Sequence, residues 1–365
     1  MLRRPLLPPR LVIYRMVWFP LALIDPAAFR QVLASYATHR YAVESVTPEK
    51  TMHAVLESNS QAMRSVRERI GTKPTSCDLS GLICAMTAMA CHAHLNGDLW
   101  QWKNHLKAIR CVLEPLGGLD THMLSAQLRK LVQWVEIIGC YVLDEAPVLA
   151  LPLRIPTEAC SSQRRGSPRR LTGALITSLP PTSDLQLTVG AVVMLTDVES
   201  TSSDHRQAEW NYDSALHDRI NRIVCSLLCF GNPATQNIGL DLQEHLIRTG
   251  ALLYLAEFRR HCGDAPVTTS THVEQLSRLL SRLGVGPSSS YNPSLELWLT
   301  VLGALEAMSM VHKSMFEGRL AVLLALRSFS EVEQLEAELG TVVWHGRLYA
   351  KSLRALFRKC SACTG

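Results

Sequence analysis

The sequence predicts an all-α fold, a multi-helix bundle of antiparallel helix pairs. Three observations predict it. Roughly ten or more segments space their apolar residues by three and four, the period of a half-buried helix, and glycine or proline separates them. Leucine and alanine are abundant while aromatics are only 6%, which favours helices packed on helices over a β-sandwich. Hydrophobic residues are 47% and charged residues 19%, the balance of a folded chain, and 365 residues are enough to bury a substantial core.

Residues 1–18 are expected to be an ill-ordered, basic, proline-rich N-terminal segment. A single all-helical domain follows over 19–359. The apolar run 11–24 holds Arg15 and Pro20 and is too short to span a bilayer. A helix is predicted from Pro26, capped by Asp25, with Phe29, Val32, Leu33 and Tyr36 inward. A second covers 48–70, with Met52, Val55, Leu56, Met63 and Val66 inward, and the breaker cluster 72–76 ends it. A third, about 79–95, is apolar on nearly every side and so central. In the next, 100–116, Leu99, Trp102, Leu106, Ile109 and Leu113 form an apolar stripe. Asp98 stands at its N-cap and Gly117-Gly118 at its C-cap. A fifth covers 121–143, with Leu124, Leu128, Leu131, Val135 and Ile138 inward.

Residues 152–184, rich in serine, proline and arginine, read as a loop. The span 185–197 has strand propensity around Thr188–Val193 but fits the chain better as a helix. Further helices are predicted at 208–230, 239–262, 271–283, 293–312, 315–326, 329–339 and 341–359, with turns at Pro233, 263–266 and 284–287. Residues 360–365 are expected to fray.

The net charge of +5 is too modest for a dedicated nucleic-acid binder. The 11 scattered cysteines, odd in number with no signal peptide before them, read as reduced thiols of a nuclear or cytoplasmic protein. Phosphate-loop, nucleophile-elbow, kinase and HExxH patterns are absent. His92 and His94 are two apart on a helix, so they point away from each other, one expected tucked and one exposed. Cys84 and Cys91 stand about 10 Å apart along their helix, too far to share a zinc, and read as packing thiols; Cys77 precedes them at the same interval. Cys360 and Cys363 form a lone CxxC. Asp144-Glu145 and 331–338 supply carboxylates with no partner for acid–base work. No catalytic, cofactor or metal residue is therefore assigned.

One charge pattern stands out. Arg347, Lys351, Arg354 and Arg358 recur at i, i+4, i+7 and i+11, within about 60° on a helical wheel. Tyr349, Leu353, Leu356 and Cys360 fall opposite. The face suits an acidic partner or DNA phosphates, and also suits a solvated helix C-terminus.

Four stretches resemble one family. They are 19–29 (FPLALIDPAAF), Gly97-Asp98 through Trp102 and His105-Leu106 to Gly117-Gly118-Leu119, Leu131-Val132-Gln133-Trp134-Val135-Glu136, and Leu339-Gly340-Thr341-Val342-Val343-Trp344. The chain is similar through them to the regulatory domain of fungal zinc binuclear cluster transcription factors. The resemblance implies an all-helical regulatory-domain bundle, a nuclear location and a role in transcription, in proteins often found beside secondary-metabolite pathway genes. The family's cysteine cluster, CxxC-x6-C twice over, is not in this sequence. The expectation is a non-enzymatic regulator or coregulator without cofactor. It would work through protein partners, a DNA-binding transcription factor or a second copy, and touch DNA only weakly or indirectly and no membrane. The alternatives are a helical scaffold or dimerisation module, and an enzyme of a helical class. The latter lacks the clustered acidic motifs that hold magnesium in helical synthases.

Overall fold

The computed structural model describes residues 18–23, 25–44, 48–70, 76–149, 179, 184–201, 214–230, 241–264, 267–283 and 292–361. Among these, all regular structure is helical, in fourteen α-helices and two 3-10 turns. The expectations for residues 1–17, 71–75, 233 and 284–287, for all of 152–184 but Leu179 and Asp184, and for the last four residues lie outside them. The chain forms two compact units. One comprises Met1–Cys140, Pro147–Leu151 and Gly263–Pro266; the other comprises Tyr141–Ala146, Pro152–Cys262 and Val267–Gly365.

The first unit holds α1 (Phe19–Ala22), α2 (Pro26–Glu44), α3 (Pro48–Ile70), α4 (Ser76–Leu95), α5 (Leu99–Leu113) and α6 (Ala126–Leu143) as far as Cys140. Short connections make α2 and α3, and α4 and α5, antiparallel neighbours, and α2 also packs on α4. Asp25 starts α2 as expected. Its Oδ1 accepts the backbone N–H groups of Ala27 and Ala28. Its Oδ2 accepts from Arg69 at 2.7 Å, and Arg69 also donates to the Asp78 carbonyl. One carboxylate thus caps α2 and ties it to the end of α3 and the start of α4.

The predicted inward face of α2 is partly corrected. Val32 is buried, but Leu33 and Tyr36 are exposed, and small residues (Ala27, Ala28, Ala34, Ser35) face inward instead. Small side chains let α3 and α4 approach closely. On α3 Val55 and Val66 are buried as expected, whereas Leu56 is exposed. The central helix is α4, buried continuously from Leu82 to His94. The fifth helix starts later than its sequence pattern. A 3-10 turn occupies Gly118–Asp120, and the Ser125 hydroxyl accepts the Leu128 N–H, so α6 begins at Ala126.

The second unit holds α7 (Asp184–Thr201), α8 (Ser214–Cys229), α9 (Leu242–His261), α10 (Ser270–Leu283), α11 (Pro293–Glu306), α12 (Met310–Leu326), α13 (Val332–Val342) and α14 (Gly346–Ser361). The span of strand propensity is the helix α7. At the centre are α9, buried from Leu246 to Ala256, and α11, buried from Leu295 to Ala304. Asp241 and Glu244 close a capping box on α9.

Several boundaries differ from the sequence reading: the helix predicted at 329–339 is Val332–Val342, the one predicted at 315–326 starts at Met310, and two breaks lie inside predicted helices. The predicted helix 293–312 is two helices. Ala307 is extended (φ −69°, ψ 116°), Thr269 Oγ1 donates to the freed Glu306 carbonyl, and α12 starts after Ser309. The last helix starts at Gly346, not at 341, because Val343 is extended (φ −166°, ψ 126°). That break presents the Val343 carbonyl to the Trp298 indole N–H at 2.8 Å. His345 then caps α14, its Nδ1 accepting the Leu348 N–H. At the far end α14 runs to Ser361 with Cys360 buried, so the stretch expected to fray begins inside the helix.

Candidate functional site

The surface with the clearest chemical character is the outer face of α14. Its amphipathic pattern fixes its roll. Tyr349, Leu353, Leu356, Phe357 and Cys360 are buried, and Arg347, Lys351, Arg354 and Arg358 are all exposed. Tyr349 anchors the helix. Its hydroxyl donates to the Tyr254 carbonyl at 2.5 Å and its ring stacks on Tyr254, with Trp344 4.5 Å away. Burial pushes the Tyr349 phenol well above its ordinary range. Lys359, off the basic stripe, is held by both carboxylate oxygens of Glu317 at 2.7 Å. Among the described residues, none of the four stripe cations is paired with a carboxylate, and α14 has no acidic residue. The stripe is about 16 Å long, a row of cations on a helix that carries no acidic residue.

The second unit also contains a buried charge cluster that sequence reasoning missed. Arg248 donates through both terminal nitrogens to Asp144, at 2.6 and 3.1 Å, and through Nε to the Leu227 carbonyl. The Arg248 pairing holds the Asp144 carboxyl below its ordinary range although burial opposes it. His272 lies 3.8 Å from Asp144, fully buried, with Nε2 against the Tyr141 carbonyl. Burial outweighs the attraction of Asp144 and lowers the His272 pKa to about 4, so it is neutral. Arg259 lies over the Tyr141 ring, 4.5 Å from its centroid. Arg319 with Glu296, and Arg260 with Glu306, are further pairs with a buried carboxylate. Each of these pairs joins residues distant in sequence, so the arrangement is a set of latches. Asp144 sits beyond the end of α6 at φ 55°, a conformation uncommon outside glycine.

In the first unit the Gly97–Leu119 motif is built as expected. Asp98 accepts the Gln101 N–H, and Gly117 takes φ 93° at the close of the 3-10 turn Glu114–Leu116. Trp102, Leu106, Ile109 and Leu113 are buried. The Trp102 indole donates to the Val135 carbonyl at 3.0 Å. Its ring fills the place of a side chain on Gly139, where a Cβ would lie 2.1 Å from it. His105 is half-buried, and burial lowers its pKa.

The Leu131–Glu136 stretch is equally structural. Trp134 donates to Asp264, and Glu136, buried, accepts the Val148 and Leu149 N–H groups at 2.6 Å. The pairing of one tucked and one exposed histidine at His92 and His94 is corrected. Both are buried, because α4 is enclosed on all sides. His92 meets Ser35 through Nδ1 and Asn96 through Nε2. Burial pushes the Cys84 and Cys91 thiols up to about 12, so both are protonated packing groups. Of the carboxylates over 331–338, Glu338 is not merely solvated; it accepts from Arg327 and Ser294.

Among the described residues no three His, Cys, Asp or Glu side chains are grouped to hold a metal ion. No helix there is long and apolar enough to cross a membrane. Against known families, the chain matches the model of the fungal specific transcription factor domain over residues 13–339. The match takes in three of the four resembling stretches and ends at the first residue of the fourth. No curated protein and no solved structure matches it significantly. A match over most of the chain, joined to an all-helical fold, shows that the chain belongs to the fungal specific transcription factor domain family.

Proposed function

We propose that this chain is a non-catalytic transcriptional regulator or coregulator that acts in the nucleus through protein contacts, with the exposed stripe of α14 as a contact surface for an acidic partner. Family membership supports the regulatory part. The single observation behind the surface is the stripe Arg347, Lys351, Arg354 and Arg358, exposed and unpaired among the described residues, on a helix locked by Tyr349 and Leu353. An acidic segment meeting it gains electrostatic complementarity and a faster encounter. Four cations also neutralise a few DNA phosphates, giving weak binding with a salt slope of roughly one unit per contact and no base discrimination. The one CxxC of the sequence is Cys360–Cys363, so on this reading base recognition comes from a DNA-binding partner. The target class put first is a secondary-metabolite biosynthetic gene cluster, read from transcript levels after deletion.

The test tethers the full chain to a foreign DNA-binding domain upstream of a reporter, and in parallel pulls partners from host nuclei. Reporter output should change several-fold. Replacing all four stripe cations with Glu should abolish the change without lowering the melting temperature, since the residues are exposed. An inert tethered chain would favour a scaffold, and a sequence-selective DNA shift by the chain alone would contradict the reading.

A further inference from the structure

The outward face of α12 is uncharged along its whole length. Val311, Ser314, Gly318, Val322 and Ala325 are all exposed, and on a helical wheel the other four lie within about 40° of Gly318. Met310 (75% exposed) and Leu326 (62%) flank the stripe. The charged neighbours are engaged elsewhere: Glu317 with Lys359, and Arg319 with Glu296. Gly318 has open space where a side chain would stand.

From this face we infer that the protein forms a two-fold dimer in which α12 packs antiparallel against α12 of a second copy, crossing at Gly318. The order of the residues selects the occupant. In an antiparallel self-pairing centred on Gly318, Val311 meets Ala325, Ser314 meets Val322 and Met310 meets Leu326. Large side chains thus oppose small ones at the four inner positions, and glycine opposes glycine where the axes are closest. A two-fold contact must be self-complementary, and a charged face would repel its own copy. This one carries no charge. The exposed Met310, Val311, Val322 and Leu326 supply the apolar area, and a single helix face lies at the lower end of specific interfaces, so the dimer expected is a reversible one. Unlike the proposed function, this inference does not depend on the basic stripe.

The test is sedimentation velocity of the full chain over roughly 1–100 μM, a range suited to a reversible dimer. The wild-type mass should rise from one chain towards two. Gly318→Arg should remain one chain throughout while melting no lower, because the site is open and Arg is the better helix former. Val322→Glu should act likewise, and Ser314→Lys added to it should restore the dimer, since position 314 of one copy faces 322 of the other. A wild-type chain that stays monomeric, or variants that dimerise like wild type, would overturn the inference. A pair restored by no second-site change would overturn its register.

Discussion

The two units solve the same packing problem with the same device and then diverge. In the first, the Trp102 indole donates to the Val135 carbonyl and its ring fills the gap left by Gly139. In the second, the Trp298 indole donates to the Val343 carbonyl and its ring lies where a Cβ on Gly250 would stand. Each unit thus fastens a large aromatic by one hydrogen bond and one missing side chain. The polar groups around that centre differ. The first unit buries thiols, histidines and small residues. Among the described residues, it holds its buried Glu136 on backbone N–H groups and its buried Asp264 on the Trp134 indole, and pairs Arg69 with the buried Asp25. The second buries Arg248 with Asp144 and Arg319 with Glu296, and holds Arg260 on the buried Glu306. Shape specifies the first unit, and charge pairing between helices specifies much of the second. A buried pair adds little over a well-packed apolar substitute, yet breaking one half is costly.

The largest effect expected from that contrast is Arg248→Ala. It strands the Asp144 carboxylate and frees the Leu227 carbonyl, so denaturant unfolding should show a loss of about 3–5 kcal/mol. Asp144→Asn combined with it should recover part of the loss. Strict additivity of the two changes would break the idea of a charge latch. In the first unit, Trp102→Ala should cost about 3–5 kcal/mol through the cavity it leaves. Gly139→Ala should cost about 1–3 kcal/mol by overpacking against the Trp102 ring, and a neutral result would remove the notch from the account.

Acid should act through the second unit more than the first. His272 has its pKa lowered to about 4, against about 6.5 unfolded. Its neutral form is therefore stabilising above pH ~6.5, and that stability, on the order of 3 kcal/mol, is lost as the pH falls towards 4. Asp144 follows with the same sign, since its folded carboxyl lies below its ordinary value, so its contribution goes at still lower pH. His272→Gln should flatten the pH dependence of unfolding between these limits, and His105→Gln should flatten it far less. The smallest effect should be His105→Gln at neutral pH, within about 0.5 kcal/mol, because the residue is half-buried and not part of a latch. If that variant stayed folded yet lost an activity on a small molecule, a catalytic reading would overtake the regulatory one.

The contrast also explains what could be read from the sequence. The Asp98 cap, the Trp102–Leu113 stripe and the Gly117 turn are local signals, each spelled within a few residues. The amphipathic pattern of α14 is local too, and by itself it puts Arg347, Lys351, Arg354 and Arg358 on one face. The Asp144–Arg248 pair spans 104 positions, and residues of these types ordinarily sit in water, so nothing local marks them as buried. The break at Ala307 carries neither glycine nor proline; the chain turns there because Thr269, distant in sequence, takes up the Glu306 carbonyl. Leu33 and Tyr36 had the right period for burial, but the neighbours of α2 need the small side chains on the other side. The exposed face of α12 was hidden by the same missed break, which split its first turn from the rest.

The most direct measurement of the central claim is the tethered reporter assay on paired proteins, wild type and the four-fold Glu variant of the α14 stripe, each with its melting curve. A regulator working through that face should change reporter output several-fold as wild type. It should lose the change, and its nuclear partner, as the variant, while the two melting curves coincide. Equal reporter output from both proteins, at equal stability, would contradict the claim.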